Sequence, residues 1–466
     1  MRTPRDARDS VRRVGWKDRA GGKGRMRTML LTACALCLSL PAFPARPAHP
    51  AFAAVPAHPA LESGQVPFEQ AVADLGSPDA GTRLRAAQLL RNAAFPEAAI
   101  PLAPLLTDPQ DEVQFAAIAA ELNIFLVEPV VAKKRVALLV EVRNAVQAEP
   151  AFSAGPNALG ARTVPVAVLT GLRVAARDQN PRVAIEALYA FGALAIQPGG
   201  AARRDLLRAA GPDLAAFIGF SDPAMRYAAV RVLGRVFAKR AQDEAIEPTV
   251  GDAVITALND RDRAVKAAAM RALGSMRYAR GLQALTDQFT FYRKGDAAET
   301  ALDALAQIAH PTSVPLFIEQ LASPSAALRT FAIEGLARTG DAAQLPAIQA
   351  MLEKEREASV TLAGAFASIM LGNTPTDQVS DVLVRPRMRE QARRYLVEIA
   401  PGRTGTFAHQ LLDSDTQIRV DVIDALGLAA DPAALAVVEP LVKDQDPQVA
   451  VAAERAVSRL RQIPRR

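Results

Sequence analysis

One phrase recurs along most of this 466-residue chain: a polar turn, a hydrophobe often followed by Arg or Lys, small residues, then Leu-Gly or a relative. It stands as Asp260-Arg-Asp-Arg-Ala-Val-Lys-Ala-Ala-Ala-Met-Arg-Ala-Leu-Gly274 and as Asp413-Ser-Asp-Thr-Gln-Ile-Arg-Val-Asp-Val-Ile-Asp-Ala-Leu-Gly427. The large apolar residue near the end of each copy gives eleven anchors: Leu90, Leu122, Phe191, Leu233, Leu273, Leu305, Leu336, Leu371, Leu396, Leu426 and Val457. A unit repeated at a period near 30 residues cannot bury its apolar face alone and does so by stacking on copies of itself. The phrase therefore restricts the fold more than any single motif does.

Each unit reads as two helices. Pro315 to Leu321 is one, Ser323-Pro-Ser makes the turn, and Ala326 to Ala337 is the second. Asp or Ser just before Pro suits a helix start, because a side-chain oxygen caps free N–H groups and Pro at the first position loses no hydrogen bond. The Leu-Gly ending reads as a helix stop. Apolar residues recur at i, i+3 and i+4, and no sustained period-2 pattern competes. The expected fold is all-α, a right-handed α-solenoid of about eleven or twelve stacked helical hairpins over residues 66–462. An irregularity lies between Leu122 and Phe191. There Val130 to Ala148 reads as a helix carrying Lys133-Lys-Arg135, and Pro150 to Gly160 as a loop, giving an insertion near 149–163. A milder insertion is expected at Gln242 to Gly251.

The pattern of Asp, a six-residue step to Arg or Lys, and then Ala-Leu-Gly resembles the HEAT-repeat family, in particular the short bacterial HEAT-like units of phycobilin lyase subunits. The resemblance implies a ladder of Asp and Arg side chains between adjacent repeats. On this sequence it assigns that role to Asp79 with Arg85, Asp260 with Lys266, Asp413 with Arg419, and to Arg329 after Ser323. Ala184 and Ala450 replace the basic residue, and Arg226 lies only four after Asp222, so the ladder is expected to be broken in places.

The amino terminus has a different character. Arg25 and Arg27 precede the apolar run Met29–Leu40, which Pro- and Ala-rich sequence follows as far as Ala51-Phe-Ala53. A basic segment, a short apolar stretch and an A-x-A site describe a secretory signal peptide, and the run is shorter than the roughly 20 residues of a spanning helix. The expectation is a leader over 1–53, a Pro/Ala-rich linker over 54–65, and an exported protein, periplasmic or secreted, without a membrane span once processed. Met26 is an alternative start. A lipoprotein box at Leu31-Thr-Ala-Cys34, a twin-arginine signal around Arg12-Arg13 and an uncleaved anchor are rival readings.

Export changes the meaning of the charge. The chain carries a net +6, but eleven of its 55 Lys/Arg and three of its 49 Asp/Glu lie in residues 1–53, so the remainder has 44 basic and 46 acidic residues. A partner with a phosphate backbone needs a basic surface, so nucleic acid is not expected. Cys34 and Cys37, the two cysteines, also fall in the leader, leaving no disulfide or thiolate chemistry downstream.

The search for chemistry finds little. His310 and His409 are each alone in sequence, there is no His-Glu dipeptide of the kind that holds iron in HEAT-like deoxyhypusine hydroxylases, and no nucleophile elbow or phosphate loop occurs. Asp413-Ser-Asp415 and Asp444-Gln-Asp446 begin like calcium loops but lack the Gly and Glu that complete one. No catalytic residue, cofactor or metal is expected. Two basic stripes are candidate partner surfaces: Arg231, Arg235 and Lys239 on one helix, and Arg387, Arg389, Arg393 and Arg394 on another. Arginine forks suit acidic partners; the plainer reading is a solvated face and inter-repeat salt bridges. The leading expectation is an exported, monomeric, non-enzymatic scaffold that binds another protein on its concave surface. The alternative is a lyase-type enzyme or enzyme subunit acting on a small molecule or polypeptide.

Overall fold

The protein is represented by a computed structural model that describes residues 67–127, 147–196, 200–238 and 245–463. The chain divides into two compact units, Met1–Gly64 and Gln65–Arg466. The first lies outside the described residues, as do the leader, its apolar run and the whole of the linker. Lys239 and the Lys133–Arg135 cluster, with nearly all of the helix expected there, also fall outside them.

The second unit is an all-α solenoid. Among the described residues its inner layer has eleven helices, one per repeat: Ala80–Ala93, Asp111–Phe125, Pro181–Leu194, Pro223–Val236, Arg263–Ser275, Asp296–Ile308, Ala326–Thr339, Ala358–Gly372, Pro386–Ile399, Thr416–Ala429 and Pro447–Arg461. Each packs on the next in chain order and on an outer segment preceding it, from Phe68–Asp74 in repeat 1 to Leu435–Val438 in repeat 11; most outer segments are shorter than their inner helix, Ala201–Ala216 of repeat 4 being the longest. Several outer segments begin or end as 3-10 turns, as at Pro311–Ser313 and Gln410–Leu412. The only bridge between extended residues among those described joins Leu126 and Leu159.

Local chemistry explains why each repeat turns in the same way. In Asp-x-Asp or Asp-x-Asn turns the first carboxylate accepts the N–H two residues on, and the second residue caps the helix. Asp262 N–H donates to Asp260 (2.8 Å) while Asp262 accepts from Ala264 N–H (2.7 Å). Asp413 and Asp415, and Asp444 and Asp446, repeat the arrangement. Two N–H groups that a helix start leaves free are thereby satisfied.

The Leu-Gly ending does not stop the helix as the sequence suggests. Gly234, Gly274 and Gly427 lie inside inner helices, where the backbone of one repeat meets the next. A Cβ on Gly274 would fall 2.8 Å from Ala304 Cα, one on Gly234 2.7 Å from Ala272 Cβ, and one on Gly427 2.7 Å from Ala456 Cβ. Glycine is required by close approach between helices, and the stop comes later; left-handed residues close several of these helices, including Ala309, Gly340, Asn373 and Ala430.

Two boundaries differ from expectation. Pro150 lies within a short helix, Ala148–Ala154, because its missing N–H falls in the first turn where no intrahelical partner exists. Pro248 to Gly251 likewise open the outer helix Pro248–Ala257 of repeat 5 and are not inserted residues.

Candidate functional site

On the turn edge, the arginine six residues after the turn reaches back to the carbonyl at that turn and forward to a carboxylate in the next repeat. Arg83 donates to Ser77 O (2.9 Å) and grips Asp108 with Nε (2.7 Å) and Nη2 (3.0 Å). Arg226 does the same with Phe220 O and Asp260, and Arg329 with Ser323 O and Glu355. Arg389 bonds Leu383 O, and Arg419 bonds Asp413 O and lies 3.5 Å from Asp446. The Arg83, Arg226 and Arg329 pairs each join two repeats by a planar, two-pronged contact.

This geometry corrects several assignments. Arg85 is not on the ladder: it is exposed, 3.9 Å from an equally exposed Asp79, and Asp79 serves as a helix cap for Thr82. Arg83 takes its place. Asp260 belongs to Arg226 of the preceding repeat, and no ion pair of Lys266 is found among the described residues. Counting thirteen residues from each turn also resets the register. Glu121, not Leu122, then occupies the position held by Leu90, Leu273 and Leu426, and Ser368 replaces Leu371.

The ladder carboxylates are held in their charged form. Arg329 hydrogen bonds, opposed by burial, bring Glu355 down to about 2. The Arg226 hydrogen bond lowers Asp260. Burial alone would raise Asp108, but Arg83 and the Gln110 N–H outweigh it and leave it lowered.

The inner face is built differently. The insertion helix Ala148–Ala154 packs on the inner helix of repeat 3. Phe152 is buried against Tyr189, their rings 5.3 Å apart, and Gly192 leaves room for it: a Cβ there would meet the Phe152 ring at 2.8 Å. Arg231 and Arg235 of repeat 4 complete this contact. The Arg235 guanidinium lies 4.3 Å from the Phe152 ring centre and donates to Phe152 O (2.7 Å). Arg231 lies over Phe152, Tyr189 and Tyr227 and donates to Glu149 (2.5 Å) and Ser153 (3.0 Å). Glu186 accepts the Gln147 and Ala148 N–H groups, and burial pushes its pKa up to about 7.

Beyond Gly155 the chain runs to the far end of the array. Val127 N–H donates to Ala158 O and Gly160 N–H to Phe125 O, both at 2.8 Å. From the last helix, Ser458 Oγ donates to Ala161 O (2.5 Å), Arg459 to Asn157 Oδ1 (3.1 Å) and to Pro156 O, and Gln462 to Thr163 Oγ1 (3.1 Å). Repeat 11 thereby touches the insertion that precedes repeat 3.

Repeats 7 to 11 pair their inner-face charges among themselves. Arg338 of repeat 7 grips Glu398 of repeat 9 with two bonds of 2.8 Å, reaching across repeat 8. Glu334 accepts from Arg338 (3.1 Å) and from Tyr395 (2.5 Å), whose ring stacks on Phe366 at 4.4 Å. Asp421 lies 3.6 Å from Arg389 and 3.5 Å from Arg393, and Arg455 bonds Asp424 at 2.5 Å. Of the second predicted stripe, Arg389 and Arg393 are therefore engaged by the next repeat, whereas Arg387 and Arg394 are exposed. At the register position of Arg394, eleven residues after the turn, repeat 5 carries the exposed Arg271.

The histidines stay apart. His310 Nδ1 accepts Thr312 N–H in a turn, and exposed His409 lies 3.6 Å from Asp377. Among the described residues no group of three or more His, Cys, Asp or Glu is placed to hold a metal ion. No described helix is long and apolar enough to cross a membrane.

The family comparison falls on the regular middle of this array: the model described as HEAT repeats matches residues 211–290 and 293–368. The chain carries HEAT repeats. No curated protein matches this HEAT-repeat chain. Among solved structures it is similar to an engineered protein from a structural genomics consortium, at 18% identity over 84% of this chain and 98% of that one, with a TM-score of 0.40. It is also similar to the complex of CpcE and CpcF of phycocyanin lyase from Nostoc sp. PCC7120, at 20% identity over 53% of this chain and 94% of that one, TM-score 0.33. A further similarity is to Kap95p from its complex with RanGDP, at 18% identity and a TM-score of 0.33. That match covers 83% of this chain and 49% of Kap95p.

Proposed function

We propose that this HEAT-repeat chain is an exported, non-enzymatic scaffold that holds another polypeptide on its concave surface. The export part rests on the leader pattern in residues 1–53. The binding part rests on repetition: successive repeats are locked by arginine ladders and glycine contacts, which gives a preformed surface that loses little backbone entropy on binding. One observation carries the location. Most inner-face arginines are engaged within the chain, whereas Arg271 and Arg394, at the same register position of repeats 5 and 9, are exposed cations. They suit an acidic segment of the partner.

The test compares the full-length chain with a double variant, Arg271→Glu with Arg394→Glu, in affinity capture from the exported fraction. Proteins recovered by the parent chain and lost with the variant are the expected result. Equal recovery by both would remove the concave-surface assignment. An unprocessed chain beginning at Met1 or Met26 and confined to the cytosol would remove the export assignment.

A further inference from the structure

The contact between the insertion and the last helix differs from the other contacts between repeats. Neighbouring inner helices meet through buried apolar and glycine surfaces, as Gly427 does against Ala456. The contact of residues 156–163 with Pro447–Arg461 and the residue that follows it includes, among the described residues, four hydrogen bonds donated by the side chains of Ser458, Arg459 and Gln462. Two acceptors are main-chain carbonyls, of Pro156 and Ala161, and two are the side chains of Asn157 and Thr163. Each of these polar groups can exchange its partner for water when the contact parts.

The other end of the same segment is fixed differently. Phe152 is buried under Arg231 and Arg235, and the Ala148–Ala154 helix has Glu186 at its start. Residues 156–163 therefore follow a helix fastened to repeats 3 and 4, are tied through Ala158 and Gly160 to the end of repeat 2, and are held to repeat 11 by polar bonds. The bonded residues are about 300 positions apart in sequence, so the bonds join the stretch between repeats 2 and 3 to the last repeat.

We propose that residues 156–163 are a clasp that closes the solenoid onto its own last repeat, and that releasing it uncovers the inner face while the Phe152 anchor stays in place. The use of opening rests on the polypeptide-binding reading above. The clasp itself does not, and it can be measured without any partner.

The experiment uses the full chain with Cys34→Ser and Cys37→Ser, and spin labels on Ala154→Cys and Arg461→Cys, two exposed positions on either side of the contact. Pulsed electron–electron distance measurement is expected to give one short, narrow distance. Removing two bonds together, Ser458→Ala with Gln462→Ala, is expected to raise a longer-distance population about thirtyfold, since each bond contributes on the order of 1 kcal/mol. Arg459→Ala is expected to go further. Because Arg459 is buried and its loss can disturb folding, circular dichroism accompanies it, and the Ser458/Gln462 variant decides the outcome. A long distance in the parent, or an unchanged short one in the folded Ser458/Gln462 variant, would overturn the clasp.

Discussion

Carboxylates on the turn edge and carboxylates on the inner face of the same helices live in opposite electrostatic settings. At the turns, Asp260 and Glu355 face an arginine from the preceding repeat and are lowered by its hydrogen bonds. On the inner face burial raises Glu186, Asp303 and Asp421, and in the core between the helices it raises Glu121. Glu121 is the extreme case: it is wholly buried and neither oxygen has a hydrogen-bond partner. The difference shows what repetition and variation each do here. The turn edge repeats because every repeat must be joined to the next in one way, and charge is used where it is matched. The inner face varies: its charges find partners that differ from repeat to repeat, before or after them in the chain, and burial shifts its carboxyls towards the protonated form.

Breaking a matched pair should have the largest effect. Arg329→Ala leaves Glu355 facing the turn without its fork, and a loss of about 2 kcal/mol in unfolding free energy is expected. Arg85→Ala, in the exposed pair that sequence spacing alone would place on the ladder, should leave stability unchanged. Equal effects from the two, by chemical denaturation, would remove the distinction between ladder and surface arginines. Next in size, Glu121→Leu restores the residue type of the other repeats and should stabilise by about 1–2 kcal/mol at pH 8. The sign follows from linkage. A carboxyl whose folded pKa is raised binds its proton more tightly when folded, so its contribution is present below the unfolded value near 4.5 and is lost as pH rises through the folded value. The gain from Glu121→Leu should therefore be larger at pH 8 than at pH 5; a gain independent of pH would contradict it.

The register of the ladder is largely legible in sequence, because Asp-x-Asp turns and a basic residue six positions on are set by local capping and by the length of one arginine. What escapes is the direction of the bond. Arg226 looks misplaced when its distance is counted from the cap Asp222, whereas its partner carbonyl belongs to Phe220, an apolar turn residue that carries no chemical signal. Glu121 is hidden by Leu122, a better-looking anchor one position later. Leu-Gly reads as a helix stop because a glycine needed for backbone freedom and one needed for close approach look the same in one sequence. The fate of Arg231 and Arg235 depends on Glu149 and Phe152, about 80 residues earlier, and the closing contact spans about 300. No local pattern encodes such pairings.

The contrast between the two edges is most directly tested by carboxyl-carbon NMR titration of glutamate-labelled protein, with Glu355→Gln and Glu186→Gln used to assign the two signals. Glu355 is expected to titrate near 2 and Glu186 near 7, on either side of the ordinary glutamate range. If both titrate together near 4.5, the turn edge and the inner face are electrostatically alike and the account fails.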